Sequence, residues 1–581
     1  MKNSIYILCF ILLASCIEKP EAKEKDFQTF FEISNGLETP TYLEVIAYYN
    51  KLAKEFPEIN IQTLGETDSG FPLHLVTYNP DGEFNFNKIN PKKTVILINN
   101  GIHPGESDGI DATMLLLRDL VVHNIKTPKN TIIATIPVYN IGGALNRNST
   151  SRTNQNGPKN YGFRGNSQNY DLNRDFIKSD TKNAKTFAKI FHLTKPDVFI
   201  DNHVSNGADY QYTLTHLFTQ HNKLGGKLGD YLHTQMMPAL ETSLEKIDWS
   251  ITPYVNVFNS VPEEGFSQFM DYPRYSTGYT TLWNTLGMMV ETHMLKPYKQ
   301  RVLGTYFLMQ KMIDITEEDG EKIKALRKNA FAAYQAKETY PTQYTIDTTK
   351  ASTLNFKGFE AERIDSKVTG LKRLKYDKTR PFTKEVAYQN YMKVTDSIRI
   401  PSAYIIPQGW QKIIPLLAAN NITYKRLGKD TIINVESYRI KDYQTRKTAY
   451  EGHYPHNNTS VTATTKNVQF YKGDFLVPTK QDGIRYVLET LEPSAIDSFF
   501  NWNFFDTILQ QKEGFSPYVF EDIAVQLLQD NPALKSEFEG KKAQDVSFAN
   551  NWYTQLDWIH KKSEYYEKAH LQYPIFRILK N

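Results

Sequence analysis

The residues best equipped for chemistry sit in one short stretch, Gly101-Ile102-His103-Pro104-Gly105-Glu106, directly after the apolar run VILIN. A histidine and a glutamate three residues apart, in a turn at a strand end, can converge on one cation. A second histidine, His203, ends another apolar run, PDVFIDNH. Two imidazoles and one carboxylate make a three-ligand set that leaves a fourth position for water, as catalytic zinc sites require. Zinc suits this mixture, although affinity alone admits other divalent metals. The only cysteines are Cys9 and Cys16. A Cys-ligated metal, a cysteine nucleophile and a disulfide are therefore excluded from the body of the protein. In a chain of 581 residues His-x-x-Glu alone is a weak signal. Its neighbours strengthen it: Asp171-Leu172-Asn173-Arg174-Asp175 follows, and Glu291 closes the run GMMVE.

These side chains need elements to position them. Tyr42, Val45, Ile46, Tyr49 and Leu52 recur at helical spacing, which predicts a helix over 39–56. The alternating runs IQTLGET and PLHLVTY around Asp68-Ser69-Gly70 predict a hairpin. KTVILIN, TIIATIPVY, PDVFIDNH and GMMVE are short, continuously apolar runs, as expected of strands buried on both faces. Helices are predicted between them, over 109–124 and 181–193. Buried strands alternating with helices argue for an α/β domain with a largely parallel or mixed sheet, whose ligand site lies at the carboxyl ends of the strands. From about Ala330 the pattern loosens, and 340–400 is Thr- and Lys-rich with weak periodicity. SAYIIP then predicts a strand, QKIIPLLAANN an amphipathic helix, and GDFLVP with GIRYVLETL another strand and helix. A chain this long exceeds one hydrophobic core. The expected layout is a catalytic domain over 38–328 and a second, mixed α and β domain over 335–581 that holds no recognisable catalytic set.

In their order and setting, these motifs resemble the zinc carboxypeptidase family, the carboxypeptidase A-like peptidases. Those proteins carry GIHxxE at a strand end, an Asn-Arg pair, a His ending a strand and a Glu ending a late strand. The resemblance covers about residues 38–325 and implies a carboxypeptidase-like mixed sheet with flanking helices. It implies that His103, Glu106 and His203 bind one Zn2+. Asp171 would orient the first histidine, since such carboxylate partners fix the tautomer. Arg174 and Asn173 would hold the carboxylate of a peptide with a free C-terminus, the planar guanidinium suiting bidentate contact. Glu291 would act as general base towards the attacking water and return the proton to the leaving amine. Arg164, ten residues before Arg174, would stabilise the oxyanion, with Arg147 and Arg152 as rivals because classical members place this arginine further upstream. For the tyrosine that caps bound substrate, Tyr272, Tyr275 and Tyr279 compete, and Tyr275 is preferred because it precedes Ser276-Thr277-Gly278. Two departures stand out: Asp175 where classical members often have Asn, and a shortened segment before Glu291. Neither removes a ligand or the base.

The N-terminus is expected to be a processing segment. Lys2 precedes the apolar run IYILCFILL, too short to span a bilayer, and Leu13-Ala14-Ser15-Cys16 resembles the lipobox of bacterial lipoproteins. Residues 1–16 are thus read as a lipoprotein signal with Cys16 lipidated, and 17–37 as a polar tether. The implied location is a bacterial cell envelope, periplasmic or outer-membrane, held by a lipid anchor only. Charge is balanced, 68 Lys and Arg against 64 Asp and Glu, so no nucleic-acid partner is indicated. The activity implied is removal of C-terminal residues from peptides. The alternatives are cleavage of cell-wall stem peptides with D-centres, or a surface lipoprotein that binds peptides or glycans without turnover. His293 is expected to be a packed or exposed histidine, His453 and His456 to form no second metal site, and the aromatics from Phe499 to Phe505 to be core.

Overall fold

The computed structural model describes residues 26–123 and 125–580. Its centre is an eight-stranded sheet built from β1 (Ile59–Glu66), β2 (Pro72–Tyr78), β3 (Thr94–Asn99), β4 (Thr131–Ile136), β5 (Val198–Ser205), β6 (Leu214–Phe218), β7 (Ile251–Pro253) and β9 (Leu286–His293). A two-residue strand, β8 (Phe266–Ser267), lies outside this sheet. The order is β1-β2-β4-β3-β5-β9-β6-β7. The middle four, β4, β3, β5 and β9, run parallel, and β6 turns antiparallel to β9. Every residue of β3, β4 and β5 is buried, which is why these strands read as continuous apolar runs rather than alternating ones. Helices Asp108–Val121, Lys182–Thr194 and Tyr298–Ala336 cover the sheet. The first helix expected from periodicity spans Tyr42–Glu55 and starts with a capping box between Thr41 and Glu44.

The second region carries two long hairpins, β11 (Ser352–Asp365) with β12 (Lys372–Gln389) and β16 (Thr431–Thr445) with β17 (His456–Phe470). A smaller pair joins β10 (Thr339–Ile346) to β13 (Met392–Arg399). A six-stranded sheet, ordered β15-β18-β14-β19-β16-β17, adds β14 (Ala403–Ile406), β15 (Lys425–Arg426), β18 (Phe475–Pro478) and β19 (Gln572–Ile578). Helices Pro517–Asp530, Pro532–Gln544 and Trp552–Lys561 pack around their own small apolar core.

Three expectations need correction, and the weakly patterned stretch 340–400 forms four strands. Its ribbons are exposed or half-buried over most of their length, and burial alternates only over the short stretches that hold Phe356, Val386 and Tyr388. The segment QKIIPLLAANN gives a 3-10 turn, Gln408–Ile413, before a short helix, Ile414–Ala419. The tether does not run to 37: Phe27 and Phe31 enter the main core, and Glu32 pairs with Arg118 at 2.7 Å. The proposed domain boundary also falls within one 39-residue helix, Tyr298–Ala336, and a single apolar core unites residues of both regions. The signal segment 1–16 with Cys16, and residues 17–25, lie outside the described residues. Among the described residues no helix is long and apolar enough to cross a membrane.

Candidate functional site

The site is assembled at the carboxyl end of the parallel strands. β3 ends at Asn99, and Gly101 turns the chain with φ +66°, a conformation open to glycine without cost. That turn presents His103 and Glu106 to His203, near the end of β5. One ligand atom from each of the three lies within 4.8 Å of the other two, the one such group among the described residues. Nδ1 of His103 stands 3.3 Å and Nδ1 of His203 3.2 Å from the Glu106 carboxylate. The outer nitrogens are both taken: Nε2 of His103 lies 2.9 Å from Asp171, and Nε2 of His203 lies 2.9 Å from Asp201. Each carboxylate accepts an Nε2–H, which leaves both Nδ1 lone pairs facing Glu106. Buried imidazoles fixed in this tautomer, with a carboxylate between them, fit a zinc ion.

Glu291 stands beside this triad because β5 and β9 pair in register, His203 opposite Glu291. The remaining residues close a cavity of about 310 Å³, lined by the triad, Glu291, Arg164, Asn173, Arg174 and Tyr275 among others. Asp171 caps a 3-10 turn, Leu172–Arg174, by accepting from the Asn173 N–H at 2.9 Å. That turn carries Asn173 and Arg174 into the cavity. Asn173 accepts from Ser276 N–H at 3.1 Å, and the Arg174 guanidinium lies over the Tyr275 ring, 4.5 Å from its centroid. Arg164 donates to Asp171 through Nε and Nη2, at 3.0 and 2.8 Å, and its Nη1 reaches 3.3 Å from His103. The rivals take other places. Arg152 sits behind the triad, 2.7 Å from Glu106, and Arg147 donates to the carbonyls of Thr39, Pro40 and Asn160. Tyr279 is fully buried and bonds Asn420, and Tyr272 packs beside Lys223.

Burial drives the electrostatics and the neighbours divide its effect. It pushes Glu291 up to about 7, against His203 and with Glu106. It also works to raise Glu106, but Arg152 and His103 hold that carboxyl well below the usual range. Asp171 is held low in the same way by His103 and Arg164. Burial alone would lower His203; Asp201 raises it instead. The cleft thus pairs one carboxyl of near-neutral affinity for protons with carboxylates that stay ionised, the separation expected of an acid–base site.

Two functional neighbours escaped the sequence reading. Asp201 shares a strand face with His203 at i, i+2, a spacing that could have announced it. Its carboxylate also accepts from Ser276 and, at 3.1 Å, from Asn99. Tyr254 lines the cavity, and its hydroxyl is raised by burial and by Glu291. No local signal singles it out among 36 tyrosines. His293 is buried against Asp209 at 3.0 Å. His453 and His456 pair with Asp180 and Asp506, and Phe499, Phe500, Trp502 and Phe505 are core.

Residues 45–198, which supply the first two residues of the triad and the turn beside it, match the model of the zinc carboxypeptidase family. The match holds His103, Glu106, Arg164, Asp171, Asn173 and Arg174, and stops short of His203 and Glu291. No curated protein matches the chain. Among solved structures, a metallo-carboxypeptidase from Burkholderia cenocepacia is 14% identical, over 47% of this chain and 68% of that one, with a TM-score of 0.35. Carboxypeptidase A from Helicoverpa armigera is 14% identical, over 51% and 75%, with a TM-score of 0.35. A metallo-carboxypeptidase from Pseudomonas aeruginosa is 12% identical, over 48% and 68%, with a TM-score of 0.35.

Proposed function

We propose that the chain is a zinc-dependent carboxypeptidase that removes C-terminal residues from peptides, with one zinc per chain held by His103, Glu106 and His203. The observation that carries the reading is the convergence of that triad, Glu291 and the Asn173–Arg174 turn on one cavity. A zinc ion there would supply Lewis acidity to the scissile carbonyl and to a water. Glu291, with its proton affinity near neutral, takes the proton of the attacking water and delivers it to the departing amine. Arg164 faces the charge that develops on the carbonyl oxygen. Arg174 and Asn173 hold the substrate carboxylate, and the Arg174–Tyr275 stack sets the guanidinium plane. Leu217 and Met289, paired across β6 and β9, line the cavity with Phe269. An apolar wall of this kind favours apolar C-terminal residues. The envelope setting expected from residues 1–16 belongs to the same reading.

The test uses the purified full chain on peptides with free and amidated C-termini, with zinc and with chelator. Single residues are released from free termini only, apolar ones fastest, and chelator abolishes release. Glu291→Gln lowers kcat by about 10³-fold, the scale of losing a general base in a buried site. Intact peptides after incubation with zinc-loaded chain overturn the reading.

A further inference from the structure

The C-terminal region contributes no side chain to the cavity, whose lining runs from His103 to Glu291. It nevertheless grips both segments that carry the substrate-carboxylate groups. We propose that Glu451, on the loop between β16 and β17, is a positioning residue for that end of the cleft. The proposal rests on the carboxypeptidase reading above.

Glu451 Oε2 accepts from the backbone N–H of Asp171 at 2.8 Å. Asp171 starts the turn that carries Asn173 and Arg174, and its carboxylate holds His103 and Arg164. Anchoring this N–H from outside fixes where the turn begins, a task its side-chain bonds leave undone. The loop is built for the contact. Glu451 has φ +49°, a left-handed conformation that a residue with a side chain keeps only where its surroundings impose it. Gly452, at φ +77°, lies so close to Tyr170 that a Cβ would stand 2.5 Å from its hydroxyl oxygen. His453 completes the loop at 2.8 Å from Asp180, which also binds Lys178. The second segment is held similarly. Arg274, immediately before Tyr275, donates its N–H and Nε to Asp497 at 2.9 and 2.8 Å. Its guanidinium lies over the buried Trp502, 5.1 Å from the centroid. The two grips meet where Tyr275 stacks on Arg174.

The experiment compares zinc-loaded full-length wild type, Glu451→Ala and Glu451→Gln. N-acetylphenylalanine, a ligand with one free carboxylate, is titrated by calorimetry, and kcat and KM are measured on a peptide ending in phenylalanine. Glu451→Ala raises Kd and KM about tenfold, with kcat within threefold, bound zinc and the melting midpoint unchanged. Glutamine keeps the acceptor oxygen and restores both constants to within threefold. Kd and KM within twofold of wild type in Glu451→Ala, or a glutamine variant as defective as alanine, overturn the proposal. Should Glu451→Ala fail to fold, Gly452→Ala decides: it pushes the loop off Tyr170 with the carboxylate intact. Weaker N-acetylphenylalanine binding then supports the proposal and unchanged binding overturns it. Wild type that binds this ligand without cleaving peptides defeats the functional reading alone, and the binding arm still judges Glu451. Wild type that neither binds nor cleaves defeats both.

Discussion

The metal-binding end of the cleft and the end that would take a substrate carboxylate differ in what holds them. At the metal end the geometry comes from one sheet and the tight turn that leaves it: His203 and Glu291 are register partners on adjacent strands, Asp201 shares a strand with His203, and the turn at Gly101 brings in His103 and Glu106. Below it lies a buried network, with Ser107 bonded to Tyr298, Tyr298 to Asp111, and Asp108 to Arg301 at 2.9 Å. The other end hangs on turns, Leu172–Arg174 and the chain before Ser276, braced by residues 280 and 223 positions downstream. Sheets fix ligands to the precision that a cation demands, whereas turns need a scaffold brought in from elsewhere.

Substitutions at each end sharpen this contrast. The largest effect should come from Arg174→Ala. Loss of a charge-assisted carboxylate contact costs about 2–5 kcal/mol, so kcat/KM falls by about 30- to 4,000-fold while bound zinc is unchanged. Equal zinc loss in that variant would erase the distinction between the ends. Asp201→Asn comes next, because it removes the carboxylate charge behind His203 and keeps a side-chain oxygen that can still accept from Ser276. Zinc affinity drops by about 10–100-fold, read by competition with a chromogenic chelator, and KM at saturating zinc holds. The smallest effect concerns stability. Burial pushes Asp111 up to about 7, above its unfolded value near 3.9. Its contribution to stability is therefore full below about pH 4 and is lost as pH rises through 7. Asp111→Asn should flatten the dependence of the melting midpoint on pH between 4 and 8, and an unaltered slope would remove Asp111 from the account.

What could be read from residues alone follows the same division. β3, β4 and β5 announce themselves because burial on both faces selects unbroken apolar runs, and the metal triad follows from the turns at their ends. Helix Tyr42–Glu55 shows its periodicity plainly. The ribbons over 352–389 do not, since most of their positions face solvent. The tether boundary misread Phe27 and Phe31 because the charged run before them dominates the local composition. Glu451 carries no local signal at all: its partner is the backbone N–H of Asp171, and any residue but proline has one. Tyr254 is hidden for a different reason, as one ring among many.

The separation of 280 residues between Asp171 and Glu451 also orders events in time. A ribosome adding about 5–20 residues per second needs about 15–55 s to travel that distance. In the later part of that interval the metal turn, His203 and Glu291 can already have left the tunnel, while the brace for the other end of the cleft has yet to be made. The brace on the 172–174 turn thus cannot form until nearly four-fifths of the chain exists.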